Sequence, residues 1–597
     1  MSSRRFMQMS ASALTVLAGA LAAPAFAAAE PAPFEHACKA QNGVRFCPTE
    51  TLAQRVPTFD DVPLDVDVTL PPSGAGPWPT IVMLHGWGGS KTSFEATAPA
   101  GNNNETFDYN NIFYAQRGYA VLNYTARGWG RSCGSEESRK EAPGCEKGWL
   151  HLADQRYEAR DTQYLLGLLA DEGITQRKRI GVTGISYGGG QSIELAFLRN
   201  QIRLPDGQFA PWRSPKGKRM LIAAAYPRWP WSDLVSALTP NGRFLDTQIA
   251  GPGDSREPLG VEIQSYVTGL FADAPATGGY VAPAGMDPEA DLTKWLAATN
   301  AGEPASKEDE EIAIKLETYH GGYGLPTKPA PLLIQNGWTD DLFPPKEALR
   351  VYNSARRQHA KISLQFGDLG HSRGSNKQNT DHAFQEEAAG FFGAYLQHAG
   401  AAPKSGTVVA YTQTCPKGAP GGGPFAAKSW AGLHPHAITF GSPGAQTFTS
   451  AGGNPAIATE FDPIAGTSDA CKSVKAETEP NTANYTLTSA GLTMLGLPTV
   501  KATVAATGTF PEIVARLWDV TPGGEQRLIS RGVWRVAESE EGRTESITFQ
   551  LHGNGYQFPA GDTVKLQLLG RDAPYYRASN GVFTIEASNV TVTLPTT

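Results

Sequence analysis

The chain has 597 residues, 40% of them hydrophobic and 9% aromatic, which excludes a disordered polymer and exceeds what one hydrophobic core accommodates, so at least two domains are expected. Its formal charge of −7 argues against a nucleic-acid partner. No apolar run after the first residues is long enough to span a bilayer, so no membrane partner is expected either.

The first predicted element is a leader. Met1-Ser2-Ser3-Arg4-Arg5 is a positive start, the stretch to Pro24 is apolar and small, and Ala25-Phe26-Ala27 is a cleavage site of the Ala-x-Ala kind. Residues 1–27 therefore read as a signal peptide, and the mature chain as a secreted or periplasmic protein beginning at Ala28. Arg4-Arg5 also occurs in twin-arginine signals, but the residues after it fit general secretion better. Loss of the leader removes two arginines and no acid, leaving the mature chain more acidic. Six cysteines are an even set for an oxidising compartment, and as sequence neighbours they are expected to pair Cys38–Cys47, Cys133–Cys145 and Cys415–Cys471.

Thr80-Ile81-Val82-Met83-Leu84 reads as a buried strand running into His85-Gly86-Trp87-Gly88-Gly89. A loop in that place supplies one backbone donor of an oxyanion hole, here assigned to the N–H of Trp87; such a donor is worth about 3 kcal/mol in the transition state. His85 is read as shaping the loop through backbone hydrogen bonds rather than as a catalyst. A second strand, Gly118-Tyr119-Ala120-Val121-Leu122-Asn123-Tyr124, leads into Arg127-Gly128-Trp129-Gly130-Arg131-Ser132.

The most informative stretch is Ile180-Gly181-Val182-Thr183-Gly184-Ile185-Ser186-Tyr187-Gly188-Gly189. A strand ends in Gly-x-Ser-x-Gly and a helix follows, the pattern of a nucleophile elbow, in which flanking glycines let the backbone pack closely and the serine stands exposed at the apex. Ser186 is the candidate nucleophile and the N–H of Tyr187 the other oxyanion donor.

After Tyr226-Pro227-Arg228-Trp229-Pro230-Trp231-Ser232-Asp233 the chain runs on for an unusually long connection, read as a helical cap over about 232–327. Helices are expected at Asp287–Leu296 and Ser306–Leu316, each with an acidic start. Glu308, Asp309, Glu310 and Glu311 read as a solvated first turn, with recognition of a substrate amine the sharper alternative. Trp229 and Trp231 either wall a pocket for an acyl group or proline, or pack into the core.

Two further strands carry polar ends: Pro331–Gly337 runs into Trp338-Thr339-Asp340-Asp341, and Lys361–Gly367 into Asp368-Leu369-Gly370-His371. The order serine, acid, histidine suits an α/β-hydrolase. His371 is assigned as the base that takes the serine proton and returns it to the leaving group, with Asp340 orienting it; Asp341 is the near rival for the acid and Asp368 a distant one. No cofactor is expected. No cysteine or histidine spacing suggests a metal site, and His434-Pro435-His436 lacks a partner motif.

The chain is expected to divide near Gly400, giving a catalytic domain over 28–400 and a second domain over 401–597. Beyond that point alternating runs such as Val564-Lys565-Leu566-Gln567-Leu568 and Val590-Thr591-Val592-Thr593-Leu594 replace helical patterns, and a jelly-roll β-sandwich is the natural arrangement.

Over nearly its whole mature length the chain resembles the Xaa-Pro dipeptidyl-peptidase and cocaine esterase family of α/β-hydrolases. The resemblance rests on the Gly184–Gly189 elbow, the Gly118–Tyr124 strand with its Arg127–Ser132 loop, and Gly337-Trp338-Thr339-Asp340. It implies Asp340 rather than Asp341 as the triad acid, and a non-catalytic C-terminal module that Arg516-Leu517-Trp518-Asp519-Val520 and Gly532-Val533-Trp534-Arg535 resemble. Two departures stand out. Thr125 occupies a place where the family usually has Asp, which is read as structural, and His85-Gly86-Trp87-Gly88-Gly89 is an uncommon form of the first loop. The expected activity is cleavage of small peptide, amide or ester substrates through an acyl-enzyme, with a dipeptidyl-peptidase foremost, an esterase or acylase of the cocaine esterase type next, and a non-catalytic secreted binding protein as the alternative of another class.

Overall fold

Aliphatic and β-branched runs ended by glycines or polar loops form the central strands of one large sheet of eleven. In chain order the eleven are β1 (Lys39–Gln41), β2 (Val44–Cys47), β3 (Val66–Leu70), β4 (Trp78–Leu84), β5 (Ala120–Tyr124), β6 (Thr175–Ile185), β7 (Ile222–Arg228), β8 (Leu332–Gly337), β9 (Ile362–Gly367), β10 (Val408–Thr412) and β11 (Gly422–Ala427). Side by side they run β1-β2-β3-β5-β4-β6-β7-β8-β9-β10-β11. From β5 to β10 in that order the pairings are parallel, and at both flanks they are antiparallel. The computed structural model describes Met1, residues 30–140, 142–322, Leu325 and 327–597; beyond Met1, the leader expected over 1–27 lies outside the described residues.

Parallel strands need crossover helices, and these cover both faces, so every residue of β4, β5, β8 and β9 is buried. Alternate side chains of β4 enter different cores: Val82 and Leu84 join the helices on one face, Ile81 and Met83 those on the other. The arrangement is the expected α/β-hydrolase fold. Its consequence for function is directional, because parallel strands bring Leu84, Ile185, Arg228, Gly337 and Gly367 to one edge, where their loops meet.

Between β7 and β8 the chain adds the helices Leu234–Leu238, Gln264–Asp273, Leu292–Ala301 and Lys307–Tyr319. The third begins later than the sequence suggests. Asp291 caps it by accepting the Lys294 N–H at 3.1 Å, while Asp287, expected inside the helix, accepts the Trp149 indole N–H at 2.8 Å. The acidic start of the fourth is a capped, solvent-facing turn: Ser306 and Asp309 form its capping box, and Glu308 and Glu311 pair with Lys294 and Lys307.

A second, wholly antiparallel assembly of ten strands follows, built around the long strands Ala483–Gly496, Asn554–Leu569 and Phe583–Thr596. It encloses its own core, with Val590, Val592 and Leu594 inside and Thr591 and Thr593 less buried, as the alternation requires. The turn at Gly400 is not where the sheets change. β10 pairs with β9, Val408 opposite Leu364, and β11 pairs with β10, so the large sheet takes two strands from beyond it. A Pro- and Gly-rich stretch marks a turn whether or not a domain ends there. The three disulfides form in the expected pairing, and Cys415–Cys471 ties the loop after β10 to the second assembly.

Candidate active site

Ser186 sits between β6 and the helix Tyr187–Leu198 with φ +57° and ψ −112°, a strained conformation for a residue with a side chain. Close packing imposes it. A Cβ on Gly188 would lie 2.1 Å from the carbonyl oxygen of Leu84, and one on Gly184 2.6 Å from the same atom, so only glycine lets the turn approach the end of β4. The Ser186 N–H donates to the Arg228 carbonyl at 3.0 Å, which pins the turn to the end of β7.

From the ends of β8 and β9 come the partners. His371 Nε2 lies 2.7 Å from Ser186 Oγ, and His371 Nδ1 lies 2.7 Å from Asp340 Oδ2. A carboxylate oxygen only accepts, so Nδ1 carries the hydrogen and Nε2 is left to accept from the serine. Asp340 is fully buried and held from the other side: its Oδ1 accepts the N–H groups of Leu342 at 3.0 Å and Phe343 at 2.8 Å. Gly370, at φ +115°, admits the carboxylate, because a Cβ there would stand 2.5 Å from Asp340 Oδ2.

The rival acids have other partners. Asp341 faces Arg373 at 3.1 Å and Arg531 of the second assembly at 3.4 Å, and its carbonyl accepts the Tyr575 hydroxyl at 2.6 Å. Asp368 accepts from Thr339 Oγ1 at 2.8 Å and from the Ser375 N–H at 3.0 Å, bracing the acid loop against the histidine loop.

The Trp87 loop runs beside the serine: a Cβ on Gly86 would lie 3.7 Å from Ser186 Cβ. Neither the Trp87 nor the Tyr187 amide donates to a backbone carbonyl among the described residues. His85 Nε2 accepts the Ala126 N–H at 2.9 Å and Nδ1 donates to the Gly86 carbonyl at 2.7 Å, and burial pushes its pKa down to about 4. It stays neutral and clamps the loop to the end of β5, as expected of it. Thr125 Oγ1 accepts the Lys91 N–H at 3.0 Å, holding the same loop one turn further on. The Trp87 indole donates to Leu270 of the inserted layer at 3.1 Å.

Trp229 and Trp231 part company. Trp231 packs on the helix Tyr187–Leu198, where a Cβ on Gly190 would meet its ring at 2.2 Å, and its N–H donates to the His320 carbonyl at 3.0 Å. Trp229 stands beside His371, ring centroids 6.1 Å apart, and its indole N–H has no hydrogen-bond partner among the described residues. Phe343 flanks the same imidazole at 4.9 Å.

Two residues at this edge escape sequence reasoning. Arg228 is fully buried and holds Asp381 at 2.9 Å and the carbonyl of Glu105 at 2.9 Å, which ties the Asn104–Thr106 turn to the end of β7. Glu105 itself is half-buried and close enough to His371 for their charges to interact, yet its carboxylate has no hydrogen bond or ion pair among the described residues. Burial pushes its pKa up, with Arg228 opposing. In sequence it belongs to a polar run, Asn102-Asn103-Asn104-Glu105, that reads as solvated loop.

Comparisons with known proteins bear on the family and the fold. The model of the X-Pro dipeptidyl-peptidase (S15 family) matches residues 60–201, and that of the X-Pro dipeptidyl-peptidase C-terminal non-catalytic domain matches 439–593. No curated protein sequence matches the chain. Solved structures with a similar fold include an aminopeptidase from the marine sediment archaeon Thaumarchaeota archaeon, at 13% identity over 92% of this chain and 97% of that one, TM-score 0.58. A CocE/NonD family hydrolase from Staphylococcus aureus aligns at 13% identity over 93% and 94%, TM-score 0.55. An α-amino acid ester hydrolase aligns at 15% over 96% and 100%, TM-score 0.54. At these identities the likeness is one of fold.

Proposed function

The chain belongs to the Xaa-Pro dipeptidyl-peptidase and cocaine esterase family of α/β-hydrolases, and from that premise we propose that it is an exported serine hydrolase that removes dipeptides from small peptides through a Ser186-His371-Asp340 triad. One observation carries the proposal: the unbroken chain of contacts Ser186 Oγ, His371 Nε2, His371 Nδ1, Asp340 Oδ2, with both polar gaps at 2.7 Å. As Ser186 Oγ bonds to the substrate carbonyl carbon, its proton passes to His371 Nε2, and Asp340 stabilises the imidazolium. The oxygen that becomes negative is placed between the N–H groups of Tyr187 and Trp87. Collapse breaks the C–N bond, His371 returns the proton to the leaving amine, and water then hydrolyses the acyl-serine by the same route.

A dipeptidyl-peptidase must hold a charged amine that an esterase does not need to recognise. Glu105 supports the peptidase reading because its carboxylate has no hydrogen bond or ion pair among the described residues and lies within range of the His371 charge, and a half-buried carboxylate in that state gains most from a cation. The esterase or acylase reading rests on the apolar flank that Trp229 and Phe343 give His371. The second assembly is assigned a bracing role, since Arg531 and Tyr575 grip Asp341 next to the acid. Export accords with three disulfides and with a leader of signal-peptide composition.

The test compares Ala-Pro-p-nitroanilide with p-nitrophenyl butyrate, using Ser186→Ala as the blank. Serine-dependent release from the anilide is expected. Turnover of the ester alone moves the enzyme to the esterase branch with its triad intact.

A further inference from the structure

Glu158 opens the helix Glu158–Asp171, is fully buried and forms no ion pair among the described residues. Every group that meets its carboxylate is a donor. Oε1 accepts the Tyr187 hydroxyl at 3.0 Å and the His151 N–H at 2.8 Å, and Oε2 accepts the Asp154 N–H at 3.0 Å. The Tyr187 oxygen in turn accepts the Ala153 N–H at 2.9 Å, so its own hydrogen is committed to Glu158. The same residue meets the nucleophile helix a second time, its carbonyl accepting Gln191 Nε2 at 2.7 Å one turn beyond Tyr187.

The segment that Glu158 and Tyr187 grip is under strain. Leu152 and Ala153 both stand at φ +58°, and residues in that region persist only where their surroundings over-determine them. The inserted layer supplies the other grip. Asp287 Oδ2 accepts the Trp149 indole N–H at 2.8 Å and lies 3.3 Å from His151 Nε2. His320, just after the last inserted helix, donates from Nδ1 to the Leu152 carbonyl at 2.9 Å. The Tyr187 ring also carries the Trp87 ring edge-on, centroids 5.8 Å apart, so the side chains of both oxyanion residues pack together. Phenylalanine at 187 over an apolar residue at 158 would fill the same space without burying an acid, which is costly to remove from water.

We propose that Glu158 is a positioning residue for the oxyanion hole. Acting through the Tyr187 hydroxyl, it holds the Tyr187 amide against the reacting carbonyl, and through the 149–154 segment it ties that amide to the inserted layer. This role, which rests on the reading of Ser186 as nucleophile and of the Tyr187 N–H as an oxyanion donor, is one of aim rather than of contact with substrate. The amide needs such an anchor because it lies at the first position of its helix and donates to no backbone carbonyl among the described residues. A donor aimed in advance stabilises the transition state without reorganising during the reaction, so its aim sets kcat more than substrate binding.

The test uses the full mature chain with whichever of Ala-Pro-p-nitroanilide and p-nitrophenyl butyrate it turns over, and a boronic acid of matching acyl group, whose tetrahedral adduct on Ser186 puts an oxygen in the oxyanion hole. In Glu158→Gln, whose amide cannot accept on both sides, kcat should fall at least about tenfold with KM within about twofold. The Ki of the boronic acid should rise by the factor by which kcat/KM falls. Tyr187→Phe should show the same split, and it carries the test if the first variant does not fold. The double variant should lose no more than the worse single variant, because both remove one contact. Unchanged kcat in the folded variants, a loss confined to KM, a boronic acid held as tightly as before, or additive losses would each overturn the proposal. Failure of the triad reading looks different, because the unmodified chain itself would then lack Ser186-dependent turnover, and the proposal would fall with it.

Discussion

Asp340 and Asp341 are adjacent in sequence and face opposite partners, Asp340 Oδ2 lying 2.7 Å from His371 Nδ1 and the Asp341 carboxylate 3.1 Å from Arg373 and 3.4 Å from Arg531. One loop thus serves the proposed chemistry with one carboxylate and the contact between domains with the next. Asp340→Asn should lower kcat about 10⁴-fold with the melting temperature little changed, because the amide favours the wrong histidine tautomer. Asp341→Asn should leave two buried guanidinium groups short of an acid and cost about 3 kcal/mol in denaturant unfolding, with a much smaller loss of kcat. The reverse pattern would reassign the acid.

His85 makes an acid-sensitivity prediction. Its folded pKa of about 4 lies below the 6.5 of a free imidazole, so between those values the unfolded chain takes up a proton that the folded chain does not. Stability from this residue is intact above pH 6.5 and falls as pH drops, by about 2 kcal/mol at pH 5. In His85→Gln the loss of stability between pH 7 and pH 5 should shrink by that amount. An unchanged pH slope would mean that His85 is not held neutral.

Cys415 and Cys471 are 56 residues apart and join the loop after β10 to the second assembly. Closing a loop of that length stabilises by about 4 kcal/mol through the unfolded chain. The double variant Cys415→Ser/Cys471→Ser should lose stability on that scale. The Ser186 site, which the bridge does not touch, should retain its activity at low temperature. A stability change under about 1 kcal/mol would place the effect of the bridge in the folded state instead.

Glu105→Gln separates the two substrate readings. Loss of one charge-assisted contact predicts a fall of about 10- to 100-fold in kcat/KM for Ala-Pro-p-nitroanilide, against less than about twofold for p-nitrophenyl butyrate. Equal effects on both substrates would make Glu105 a positioning group for the turn rather than the amine holder.

Much of this was legible in the sequence because it is written in local pattern. Gly184-Ile185-Ser186-Tyr187-Gly188 encodes a turn that only glycines permit, and the strands before Asp340 and His371 place both at one sheet edge by direction alone. The disulfides followed from sequence neighbourhood. What stayed hidden depends on contacts distant in sequence. Arg228 reads as one more strand residue until Asp381, 153 positions on, is seen against it. Glu105 gains meaning only from the turn that Arg228 holds, and the last strands of the large sheet lie beyond a turn that composition alone makes look like a domain boundary. The start of the helix Leu292–Ala301 is hidden for a local reason, since Asp287 and Asp291 both suit a cap and the Trp149 contact decides between them.

The most direct test of the central claim is the mass of the protein after reaction with a fluorophosphonate, followed by peptide mapping. The account predicts one adduct, on Ser186, absent in Ser186→Ala and formed far more slowly in His371→Ala while both variants remain folded. An adduct on any other serine, or labelling at full rate without His371, would contradict it.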